Sequence, residues 1–187
     1  MKLIILGIAI ASSSFTSCDN GSSTSGNEVK QDTSKTETSA LVVQKDSASI
    51  QPVVTEYLDV KNALVNGKSK DAADAAKALN TVLDKMGDGL MTDGQKKAFS
   101  SISADAKDHA EHIGSNGDDI KHQREHFQML SKDIYELTKA LGTTQTLYKD
   151  YCPMVKAIWL SETRPIKNPY YGSSMLTCGE VQETIKQ

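Results

Sequence analysis

Two short segments near the end of this chain concentrate its sulfur. Cys152-Pro153-Met154 sets a thiol and a thioether two residues apart around a proline. Proline favours an extended backbone, and in an extended segment side chains at i and i+2 leave the same face. Met175 and Cys178 form a second pair, at a spacing that curls both side chains together in a turn. Thiolate plus thioether is a soft donor set that selects monovalent copper or silver over calcium or magnesium. An imidazole such as that of His126 would complete a three- or four-coordinate site. The same two cysteines could instead be joined as a disulfide. Closing that loop stabilises a fold by roughly 3 kcal/mol in the chain-entropy model. Methionine alone is more often core filler than ligand. Residue types therefore leave a metal thiolate and a Cys152–Cys178 staple both open.

All four histidines fall between positions 109 and 126. His109 sits on an apolar stripe, where a hydrogen-bonded core histidine competes with a ligand. His112 lies beside that stripe. His122 and His126 are four apart on one helical face, a spacing that can chelate zinc or copper. His122-Gln123-Arg124-Glu125-His126 also fits the H-x-x-E-H pattern of inverted zinc peptidases. Those enzymes need a third ligand from a distant helix and a large clamshell domain, for which this chain has no room. Glu125 further lies opposite the apolar stripe, where a water-excluded site is hard to build. No nucleophile–base arrangement or glycine-rich phosphate loop is visible, so the expectation is a protein that is not an enzyme.

The elements that must carry these residues follow from pattern. The chain has 187 residues, 38% hydrophobic and 24% charged, with a net charge of −3. That suits one ordinary domain with appendages, and it gives no basic footprint for nucleic acid. Lys2 and the apolar run from Leu3 to Ala11 read as a secretory leader, far short of the ~20 residues that span a bilayer. Phe15-Thr16-Ser17-Cys18 looks like a lipobox, with residues 1–17 removed and Cys18 lipidated. This predicts a membrane-anchored envelope lipoprotein, periplasm-facing or on the outer membrane. It also leaves an even pair among three cysteines. Residues 18–49 are rich in Ser, Thr, Asn and Gly, too polar to bury much surface, and read as a tether.

From residue 50 to 142 the spacing predicts four amphipathic helices in an up-and-down bundle. The first runs from Pro52 to Val65 and ends at Asn66-Gly67. The second starts with Ser69 as N-cap and stops at Gly87. The third runs from Thr92-Asp93 to just before Gly114. The fourth follows Gly117, carries Phe127, Leu130, Ile134 and Leu137 on its apolar stripe, and is capped by Gly142. Residues 143–187 lose helical periodicity. They predict a small irregular lobe packed on the bundle, with short strands over Thr146–Met154, Ala157–Leu160 and Met175–Cys178 and a turn at Asn168-Pro169-Tyr170-Tyr171-Gly172. The fold class is therefore mostly α.

Several of these segments carry a resemblance. Arg124-Glu125-His126-Phe127, Tyr151-Cys152-Pro153-Met154 with Trp159-Leu160-Ser161, and Ile166 to Gly172 with Met175-Leu176-Thr177-Cys178-Gly179 resemble a bacterial envelope domain family of unassigned function. Its members occur as stand-alone lipoproteins and on periplasmic adaptors of copper/silver efflux pumps. The resemblance covers roughly residues 52–181. It implies a site for Cu(I) or Ag(I) using Cys152, Met154, Met175 and Cys178, with His126 as a further donor. His109 and His122 are weaker candidates that rest on clustering alone. The expected function is to bind or buffer the ion and hand it to an efflux system. The alternative is a structural or protein-binding module stapled by Cys152–Cys178. Here the spacing departs from the family: only Val155 to Ile158 separate Cys-Pro-Met from the tryptophan.

Overall fold

The computed structural model describes residues 49–186. The leader, the lipobox at Cys18 and the tether to residue 48 lie outside the described residues. Four helices come first: α1 (Gln51–Val65), α2 (Ser69–Lys85), α3 (Asp93–Ser115) and α4 (Ile120–Leu141). Each packs on the next, and α1 closes against α4. Pro52 sits in the first turn of α1, where its missing N–H costs nothing. Thr92 and Gln95 cap α3 reciprocally, and the Asp119 side chain accepts from the backbone of Lys121 and His122 to start α4. The predicted stripe of α4 is the bundle axis: Phe127, Leu130, Ile134 and Leu137 are all fully buried.

Two helix boundaries follow a different logic from the one predicted. Ser69 is the first residue of α2 and not its N-cap; its hydroxyl donates to the Gly117 carbonyl, tying α2 to the α3–α4 connection. Gly114 does not stop α3, which continues to Ser115. A Cβ there would stand 3.0 Å from Lys77 Cγ, so this glycine permits close approach of α2 and α3. At the same end the buried Gln123 amide donates to the Ser69 carbonyl (2.9 Å) and the Ile113 carbonyl (3.1 Å). The Ile113 carbonyl, which also takes the Asn116 N–H, thereby gains a second donor at the end of α3.

The lobe is a three-stranded antiparallel sheet of β1 (Leu147–Cys152), β2 (Ala157–Ser161) and β3 (Glu180–Ile185), in the order β2-β1-β3. The predicted third strand over Met175–Cys178 is instead a turn, in which the Cys178 N–H reaches the Met175 carbonyl at 3.1 Å. The strand lies just beyond, where Glu180, Gln182 and Thr184 face solvent and Ile185 is buried. Aromatic residues weld sheet to bundle. Tyr57 stacks on Phe127 (5.3 Å), Phe127 meets Tyr170 (5.9 Å), and Trp159 meets Tyr170 edge-on (5.8 Å). The Tyr57 hydroxyl lies 2.8 Å from Ser131 Oγ and accepts the Leu160 N–H at 3.0 Å. Burial raises its pKa, so it remains a neutral phenol. Lys61, fully buried on α1, pairs with Glu162 at 2.6 Å just past β2.

Candidate metal centres

Cys152 ends β1, and Pro153, with no N–H for the ladder, begins the turn that reverses the chain into β2. The turn spans residues 153–156, with Lys156 at φ +56°. This tight reversal is how the short spacing before Trp159 is accommodated. It also overturns the shared-face expectation: Cys152 is fully buried, whereas Met154 stands 60% exposed in the turn.

Cys178 is brought to Cys152 by the Asn-Pro-Tyr-Tyr-Gly segment. Asn168 is fully buried, and each end of its side chain fixes backbone. Its Nδ2 donates to the Cys178 carbonyl (2.6 Å), while Oδ1 accepts from the N–H groups of Tyr170 (2.8 Å) and Tyr171 (3.3 Å). The Asn168 N–H reaches the Leu176 carbonyl at 2.8 Å. Arg124 of α4 anchors the same segment, donating from Nε to the Pro169 carbonyl (2.9 Å) and from a terminal nitrogen to the Leu64 carbonyl (3.0 Å). Gly172 has φ +54°, and a Cβ there would be 2.7 Å from the Arg124 guanidinium. Gly179 has φ +146°, and its Cβ would be 2.7 Å from the Trp159 ring. Neither position accepts a side chain without strain.

The outcome is a pair of adjoining, unbridged thiols, Cys152 buried and Cys178 half-buried. Burial, with the neighbouring Cys152 thiol, pushes the Cys178 thiol upward in pKa. Met175 stands 36% exposed where the 3₁₀ turn Gly172–Ser174 ends, so both thioethers are open to solvent.

His126 does not join this sulfur pair. It points toward α3, where its Nδ1 lies 3.4 Å from Nδ1 of His109 and its ring stacks on His112 at 4.1 Å between centroids. His122 approaches from its own helix, 4.6 Å from His126. Among the described residues, the grouping of three or more His, Cys, Asp or Glu donors within mutual reach is His112, His122 and His126. Burial lowers the His126 pKa, and the three other imidazoles add to the effect. His109 is half-buried beside Asp133 (3.9 Å) rather than part of the core. Glu125 is exposed and lies 4.0 Å from Lys121, away from this cluster. The sequence signal for His112 was its three-residue spacing from His109, which puts both on the face of α3 that meets α4.

Residues 53–146 match the model of a family described as a protein of unknown function (DUF3347). The match covers the bundle and ends just before β1, so the thiol-bearing lobe lies beyond it. No curated protein and no solved structure matches the chain.

Proposed function

This chain belongs to the DUF3347 family, and we propose that it is an envelope-anchored lipoprotein that binds monovalent copper or silver through Cys152 and Cys178, buffers the ion, and passes it to an efflux adaptor. One observation carries the reading: two thiols distant in sequence adjoin, and the turn beside each holds an exposed methionine. A staple has a use for the thiols but none for two thioethers held in solvent, where burying them would have been favourable. Thioether and thiolate donors match a soft monovalent ion. The tight turn at residues 153–156 and the Asn168 clasp fix the backbone on both sides, so the donors are positioned by structured elements. The lipid anchor at Cys18 and the efflux partner extend this reading from the lipobox and from the family resemblance.

The test is an anaerobic Cu(I) titration of the reduced protein against a chromogenic chelator. Uptake is expected, with marked preference over zinc. Met154→Leu with Met175→Leu keeps the volume and removes two donors, so it should weaken copper binding while the melting temperature stays put. If the reduced protein takes up no Cu(I), and protein isolated from cells carries a Cys152–Cys178 bond, the chain is a stapled structural module instead.

A further inference from the structure

We propose that His112, His122 and His126 form a second metal site, separate from the thiols and suited to a divalent ion of borderline softness, zinc or cupric copper. The site is built by the α3–α4 hairpin. His109 and His112 project from the last turns of α3, and His122 and His126 from the first turns of α4, so the antiparallel crossing gathers all four imidazoles. The donor atoms of His112, His122 and His126 all lie within 4.8 Å of one another. Tetrahedral zinc, with Zn–N near 2.0–2.1 Å, holds its donors about 3.3 Å apart. Closing from the observed separations takes less than about 1 Å per ring in that geometry. His112 is exposed and the other two are half-exposed, so the rings have room to turn.

The surroundings resemble the outer shell of a metal centre. His126 Nδ1 faces His109 Nδ1 at 3.4 Å, which leaves Nε2 of His126 as its free donor. His109 Nε2 in turn faces Asp133 at 3.9 Å, and that carboxylate oxygen is buried without a hydrogen-bond partner. Asp108 lies 4.0 Å from His112 Nε2 and 3.9 Å from His109 Nδ1. Carboxylates hydrogen-bonded to ligating or supporting histidines orient the rings and raise their basicity; here they stand at ion-pair distance, beyond hydrogen-bond contact with the rings. Three imidazoles leave a fourth position open, which an exposed rim lets water fill. Nitrogen donors here and sulfur donors in the lobe would sort ions by softness within one domain.

Zinc titration by calorimetry on the purified full chain tests this. A single equivalent should bind, and it should persist in Cys152→Ser/Cys178→Ser, which separates this site from the sulfur site. His112→Ala and His122→Ala, both at the surface, should each weaken zinc at least 10-fold with the fold intact by circular dichroism. Should the double cysteine variant not fold, Co(II) bound to the wild type decides: imidazole ligation gives ligand-field bands without a sulfur charge-transfer band. Zinc uptake that vanishes with the cysteines, that ignores both histidine substitutions, or that does not occur at all overturns the proposal.

Discussion

Asp150 offers a sharp test of how the lobe is packed. It lies on the central strand β1, opposite Trp159 on β2 and Val181 on β3, and it is fully buried. Neither carboxylate oxygen has a hydrogen-bond partner. Desolvation dominates and pushes its pKa up to about 6, while Ser161 and the positive charge of Lys61 pull the other way. A carboxyl whose pKa rises on folding favours the folded state most when protonated. That contribution is complete below the unfolded value of 3.8 and is lost as pH climbs through about 6. Linkage then sets the penalty of the ionised side chain at about 3 kcal/mol at pH 7 and about 1.5 kcal/mol at pH 5. Asp150→Asn keeps the shape and cannot ionise, so its stability relative to wild type should fall by about 1.5 kcal/mol between pH 7 and pH 5. With a urea m-value of about 2 kcal/mol/M, the midpoint difference moves by about 0.7 M. Taking the variant-minus-wild-type difference cancels the other titrating groups, including His126, whose lowered pKa acts in the opposite direction. A difference that is flat with pH, or that grows on acidification, would show that Asp150 is ionised and well paired in the fold.

Other perturbations probe the remaining links. Leu130→Ala or Leu137→Ala removes a fully buried side chain and should cost about 2–5 kcal/mol by denaturant unfolding; a loss under about 0.5 kcal/mol would mean α4 is turned the other way. Gly172→Ala forces a Cβ into the Arg124 guanidinium at φ +54° and should destabilise the protein by more than about 1 kcal/mol; Gly67→Ala, with open space around its Cβ, should cost less in the same melt. Glu162→Ala strands the buried Lys61 ammonium and should destabilise more than Lys61→Met, which replaces charge with packing. Cys18→Ala should move the protein out of the membrane fraction, as read by immunoblot of fractionated cells; unchanged membrane association would remove the lipid anchor.

The bundle was legible because its signals are local and periodic. Seven-, three- and four-residue recurrences placed Phe127, Leu130, Ile134 and Leu137 on one face, and they are buried together. Local signals misled where long-range contact decided. Gly114 reads as a helix stop, yet it serves the approach of Lys77 from α2. β3 was missed because an edge strand with one solvated face is polar at every second position, while Met175 to Cys178 looked more strand-like and is a turn. The extended reading of Cys152-Pro153-Met154 failed at the hairpin: proline ended the ladder and sent Met154 into solvent. Convergence of Cys152 with Cys178 depends on Asn168, a contact between segments that spacing does not encode. The family resemblance groups His126 with the sulfurs, but the α3–α4 crossing commits it to His109 and His112.

X-ray absorption at the copper edge of Cu(I)-loaded, reduced protein tests the central claim most directly. Binding at Cys152 and Cys178, with Met154 and Met175 recruited from the adjoining turns, predicts a first shell of sulfur that survives His126→Ala and is thinned by Met154→Leu/Met175→Leu. A first shell of imidazole nitrogen, lost with His126 and indifferent to the methionines, would contradict the thiol site and place copper in the histidine cluster.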